Sequence, residues 1–150
     1  MTAVLADIRP DSLDLPLFIH VLGAMVLVGA VATAVVAALT AELSGDPARM
    51  RRVTFWTLLL VAVPAWFVMA AGAQWLYSKG YDDLEDEPTW IGIGFITREL
   101  GGLLLLIALA CSGVAMWKSK SGLGKAAGIV GALALIGWIV AVWAMGAKPT

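Results

Sequence analysis

Cysteine, histidine and charge are all scarce in this chain. Its one cysteine, Cys111, can close no internal disulfide and build no cysteine cluster for zinc or iron–sulfur. Lying inside an apolar run, it reads as a small apolar residue. Charged residues make up 14% of the 150 positions, and the formal net charge is −1. With that balance, and without a Lys/Arg-rich patch interleaved with aromatics, nucleic acid is not an expected partner. There is no phosphate-cradling loop of the P-loop kind. The lone histidine, His20, has no serine nucleophile at its depth, so no hydrolytic triad can be assembled.

What is present is apolar. Hydrophobic residues account for 61% of the chain, and the mean hydropathy is +0.90. A soluble chain this small could not bury so much apolar surface, so lipid is the expected solvent. A helix needs about 20 apolar residues to cross the hydrocarbon core. Four segments qualify: 15–41, 53–77, 90–117 and 126–147. Open sheet edges are not tolerated in lipid, so all four are expected to be helices. The connections ELSGDPARMRR, SKGYDDLEDEP and KSKSGLGK carry Gly, Pro, Ser and charge. Such short links make consecutive helices antiparallel neighbours. The expected fold is one all-α membrane domain over 1–150, with four transmembrane helices in an up-down-up-down bundle. The first span is not read as a cleavable signal, because acidic residues precede it and it is too long for an h-region.

Basic residues set the expected orientation. Arg49, Arg51 and Arg52 follow the first span; Lys118, Lys120 and Lys125 follow the third. Loops 42–52 and 118–125 are therefore placed in the cytoplasm of a bacterial inner membrane. Loop 78–89, with its acidic DDLEDE run, and both the N and C termini are placed outside. That acidic run lacks the glycine and register of an EF-hand loop, so it reads as a solvated loop or a surface for a basic partner.

Counting along each helix from its cytoplasmic end puts His20, Gln74, Arg98, Glu99 and Met145 near one outer level. Trp75, Tyr77, Trp90 and Trp143 lie close to it, as an aromatic belt would. Met25 and Met69 come out about 7.5 Å deeper by helix rise. From His20, helical spacing picks out Gly23, Leu27, Ala30, Ala34, Ala37 and Ala41, a mostly small stripe suited to close helix packing. Gly124, Gly128 and Gly131 form a similar patch on the fourth helix. On the third, Leu100, Leu103, Leu104, Ile107, Cys111 and Val114 read as lipid-facing. Arg98 stands over Gly101, Leu105, Ala108, Ser112 and Ala115; Glu99 stands over Gly102, Leu106, Ala110 and Gly113. Adjacent on a helix and about 100° apart, Arg98 and Glu99 are expected to find partners on other helices rather than each other. Pro64 removes a backbone donor in mid-span and frees the Leu60 carbonyl, which implies a kink.

The level shared by His20, Gln74, Arg98 and Glu99 supports two readings. In the first, Arg98 snorkels, Glu99 ends in water, and His20 fastens two helices through a carbonyl or Glu99. In the second, the four form a polar site at the outer end of the bundle. As a haem b site it has one axial histidine per chain, so a dimer or partner would supply another. As a copper site it would use His20 with Met145. As a quinone pocket it would use His20, Glu99 or Arg98 as proton and hydrogen-bond partners, with Trp75 or Trp90 as a wall.

The stretch FIHVLGAMVLVGAVATA resembles the first helix of bacterial CopD-like membrane proteins and of related small integral membrane families of unknown function. These carry a histidine near the outer start of a helix, followed by small, Gly-rich residues. EPTWIGIGFI is similar to the Trp-containing start of a later helix in the same families. The matched positions are His20, Gly23, Gly29 and Trp90. The resemblance implies a four-helix membrane module and, through the CopD-like members, a link to copper handling. This chain has less histidine and methionine than those members.

Three roles follow as expectations. The first is a non-catalytic module or accessory subunit, working as a homo-oligomer or within a larger membrane complex. The second is a redox or metal-handling protein with haem, quinone or copper near His20. The third is a small oligomeric transporter, though a charge near the midplane is missing.

Overall fold

A computed structural model describes residues 11–80 and 88–147. Four helices there are long and apolar enough to cross a membrane. We number them α1 (Asp14–Thr40), α2 (Pro47–Gly80), α3 (Thr89–Lys118) and α4 (Ser121–Ala147). Single 3-10 turns extend α1 at both ends, over Asp11–Leu13 and Ala41–Leu43.

The connection between α1 and α2 is much shorter than the charged run in the sequence suggests. At Ser44 the backbone becomes extended (ψ 154°). Asp46 then caps α2, its carboxylate accepting from the Arg49 N–H at 2.9 Å, and Pro47 occupies the first helical position, where its missing donor matters least. Arg49, Arg51 and Arg52 therefore lie on the helix rather than in a loop. Similarly, α3 and α4 are separated only by Ser119 and Lys120, with Ser119 in the left-handed region (φ 51°) that reverses the chain. The acidic segment 81–87 and both chain termini, which enter the orientation argument, lie outside the described residues.

Pro64 is taken up by a π-helical turn. Residues Leu58–Ala62 widen to i→i+5 bonding, and the Val63 N–H reaches the Leu58 carbonyl. A proline ring would collide with the carbonyl four residues before it; the wider turn relieves that contact without breaking the helix.

Packing follows the small stripes. On α1, Gly23, Leu27, Ala30, Ala34, Ala37 and Ala41 are all buried. The stripe below Arg98 on α3 is buried throughout, whereas Leu100, Leu103 and Ile107 are exposed. The stripe below Glu99 divides: Gly102 and Gly113 are buried but Leu106 is 56% exposed, so Glu99 does not flank the bundle side. On α4, Gly128 lies against Leu39 and Ala38, and Gly131 against Val35, so this patch and Ala30 serve contacts inside the chain. Without a hydrophobic force between helices in lipid, this close van der Waals approach is what holds them.

α2 and α3 meet differently at their two ends. Near the arginines, Phe55 packs over Gly113 and its ring lies 5.8 Å from that of Trp117. Beyond Trp66 the two helices barely touch among the described residues. Tyr77 and Phe95 bridge that gap, edge to face, with centroids 5.3 Å apart.

Candidate functional site

The site begins with two glycines. A side-chain carbon on Gly23 would lie 2.5 Å from the Met69 backbone nitrogen, and one on Gly72 would lie 2.6 Å from that of His20. The contact is reciprocal, since each glycine sits three residues after the partner of the other. It brings the α1 and α2 backbones together and puts the His20 ring beside α2. There Nδ1 lies 3.0 Å from the Met69 carbonyl oxygen. A carbonyl can only accept, so Nδ1 carries the proton and donates. Of the two fastening partners expected for His20, the structure uses a carbonyl and not Glu99. Gly72 is thus level with His20, and Met69 with Gly23, about 4.5 Å deeper by helix rise; the Met69 carbonyl, pointing toward the C-terminal end of α2, spans that step to the imidazole.

Two tryptophans form the next layer. Gly101 and Gly102 on α3 leave flat places for two indoles, Trp138 of α4 on Gly101 and Trp66 of α2 on Gly102. The Trp66 Nε1–H donates to the Arg98 carbonyl at 3.3 Å. The Trp138 Nε1–H is buried against Gly101 and has no partner among the described residues.

Above this layer is a cavity of about 290 Å³, open on one side and walled mostly by apolar groups. The start of α1 contributes Leu17, His20 and Ala24; the end of α2 contributes Met69, Ala73 and Tyr77. The start of α3 adds Trp90, Gly94, Phe95 and Arg98, and the end of α4 adds Trp138, Ala141 and Met145. Of the four residues expected at one polar level, the cavity brings together His20 and Arg98. Gln74 is exposed on another face of α2. The Glu99 side chain is 64% exposed. Trp75 is 37% exposed and forms no wall; the Lys79 ammonium lies 5.6 Å from its ring.

The expectation that Arg98 and Glu99 ignore each other is wrong. Arg98 Nε and Nη2 donate to Glu99 Oε1 at 2.9 and 2.6 Å. The 100° rule describes where side chains leave the backbone, and a long guanidinium arm can bend back across it. The same guanidinium lies 4.8 Å from the Phe95 ring centroid. Its charge is thus balanced at the cavity rim, with the carboxylate on the outer side.

For a metal, the donors in the cavity are His20 and the thioethers of Met69 and Met145. Met145 packs against Gly94, and Met25 is 70% exposed and faces away. Among the described residues no three His, Cys, Asp or Glu side chains gather to hold a metal ion.

Trp138, Trp66 and Met69 are the site residues that sequence reasoning missed. A signal was present: tryptophans well inside a span, away from the headgroup belt, facing a Gly-Gly pair. Comparison with known proteins finds no matching family model, no similar curated protein and no similar solved structure.

Proposed function

We propose that this chain is a non-catalytic membrane module that holds a small lipophilic molecule between the ends of its four helices. One observation carries the reading: an apolar cavity of about 290 Å³ with a histidine whose Nδ1 is fixed on a backbone carbonyl. Its size is close to the lower end of small-molecule pockets, about 300–1,000 Å³. A few polar groups on an otherwise apolar wall are what such a pocket uses to orient its guest. The module lies in a bacterial inner membrane as an up-down-up-down bundle. Both termini and the cavity are on the outer side, and the arginine end is in the cytoplasm. The exposed leucines of α3 and isoleucines of α4 face lipid, a second copy or a larger complex.

The test is extraction. Protein purified in native-lipid nanodiscs is extracted with solvent and the extract analysed by mass spectrometry. A lipophilic compound should accompany the wild type in near-stoichiometric amount and be depleted in Ala141→Phe, whose ring fills the cavity. Equal extracts from both would refute the reading.

A second reading is copper, as the resemblance to CopD-like proteins implies. It is favoured by the presence of His20, Met69 and Met145 on one cavity. A ligating imidazole commonly donates its other N–H to a carbonyl, as His20 does, and imidazole with thioether is a soft donor set. Metal content and the visible spectrum of the purified protein decide it, and the same spectrum tests haem.

A further inference from the structure

At the arginine end of the bundle, Arg51 is spent on Glu42. Arg52, one position on, is exposed and forms no ion pair among the described residues. It stands four residues before Trp56 and eight before Leu60, so the three follow one another along one face of α2 at steps of about 6 Å. Trp56 is 47% exposed and Leu60 63%. A face that passes from cation to amphipathic ring to aliphatic chain matches, in order, the phosphate, the ester level and the acyl chains of a phospholipid.

Two clefts meet on this face. One, of about 350 Å³, lies between the start of α2 and the end of α3 and is lined by Arg52, Trp56, Met116, Trp117 and Ser119. Its volume falls within the range of small-molecule sites. The other runs along α2 from Arg49 past Val53 to Leu60 and Val61. Arg52 and Trp56 line both. Trp56 lies edge to face on Phe55 at 5.1 Å, and the Phe55 ring also meets that of Trp117, so one buried phenylalanine supports both exposed indoles. Arg49, and Lys118 and Lys120 on either side of Ser119, are exposed and likewise form no ion pair among the described residues.

We infer that this face binds one anionic phospholipid. The Arg52 guanidinium takes the phosphodiester, to which it can donate at two points. Trp56 and Trp117 lie at the ester level, and an acyl chain runs over Leu60 and Val61. Basic pockets between spanning helices are where anionic head groups dock. The unpaired cations around the cleft select a head group of net negative charge over a zwitterionic one. This site is separate from the outer cavity and does not depend on that cavity holding a ligand. General attraction between a basic helix end and an acidic membrane needs only the total charge; a bound lipid needs Arg52 on this face.

The full chain in detergent is titrated with phosphatidylglycerol or with phosphatidylcholine of the same acyl chains, and the bound lipids are counted by native mass spectrometry. The wild type should hold one phosphatidylglycerol about tenfold more tightly than phosphatidylcholine, roughly what one or two basic residues contribute beside an anionic head group. Arg52→Gln should remove most of that preference. Lys125→Gln takes the same charge from the same end of the bundle, at an exposed position that lines neither cleft, and should leave the preference intact. Both positions are exposed, so both variants should fold, which circular dichroism checks. Glycerol phosphate equimolar with the lipid should not displace it, because it lacks the chains that Trp56 and Leu60 hold. Equal affinity for the two lipids, a preference that survives Arg52→Gln, equal losses in Arg52→Gln and Lys125→Gln, or displacement by glycerol phosphate would overturn the inference.

Discussion

His20 and Met69 are joined where α1 and α2 come closest, the Nδ1–H of one donating to the carbonyl of the other at 3.0 Å. Gly23 and Gly72 make that distance attainable, because any side chain at either position would run into backbone. The hydrogen bond and the helix contact are thus one feature, and the orientation of the His20 ring depends on both.

Gly72→Ala and Gly23→Ala should each destabilise the protein by about 1–3 kcal/mol, the usual result of overpacking a contact that cannot yield. Gly29, on the same helix, has open space where a side chain would go. Gly29→Ala should be neutral or slightly stabilising. Thermal unfolding in detergent compares the three.

The tryptophan layer makes a graded prediction. Trp66→Phe keeps most of the ring and loses the bond to the Arg98 carbonyl, which should cost about 1 kcal/mol. Gly102→Ala brings a carbon to within 2.7 Å of the Trp66 ring and should cost more. Equal or reversed losses in unfolding experiments would mean the indole does not rest on that glycine.

At the other end, Arg51 and Glu42 pair at 2.8 Å, with the Glu42 side chain 38% exposed. Solvent screens such a pair, and Glu42→Gln should shift stability by less than about 1 kcal/mol. A double-mutant cycle with Arg51→Gln measures the coupling directly.

The proposed orientation has its own test. In a Cys111→Ala background, a cysteine replacing Asp83 should react with an impermeant thiol reagent in intact cells, and one replacing Ser121 should not. The opposite pattern would invert the topology.

Much of this architecture can be read from the residues. Lipid forces long apolar runs into helices, and small residues at helical spacing mark the faces that approach one another; the buried stripe of Gly23, Leu27, Ala30 and Ala34 is visible that way. Depth along a helix can also be counted, which is how His20, Arg98 and Met145 come to one level. Direction around the axis is harder. Gln74 and Glu99 share that level yet leave the bundle, since counting fixes height and not azimuth. Contact is harder still. Met69 lies about 4.5 Å deeper than His20, yet the two are joined because the Met69 carbonyl points along α2 toward the imidazole. The Arg98–Glu99 bond depends on how a flexible side chain bends, and helix geometry does not dictate that. That the Trp138 Nε1–H finds no partner among the described residues has no sequence signature, because satisfaction depends on the neighbours of one atom.

Because His20 is the only histidine, ¹⁵N-histidine labelling gives one imidazole to observe. Its nitrogen NMR spectrum in nanodiscs, with and without 1-naphthol, a small lipophilic ring bearing one hydroxyl, tests the ligand cavity most directly. The account predicts a ring protonated at Nδ1, with an Nε2 resonance that moves on adding the ligand and stays still in Ala141→Phe. A proton on Nε2, or an Nε2 resonance that ignores the ligand in the wild type, would contradict it.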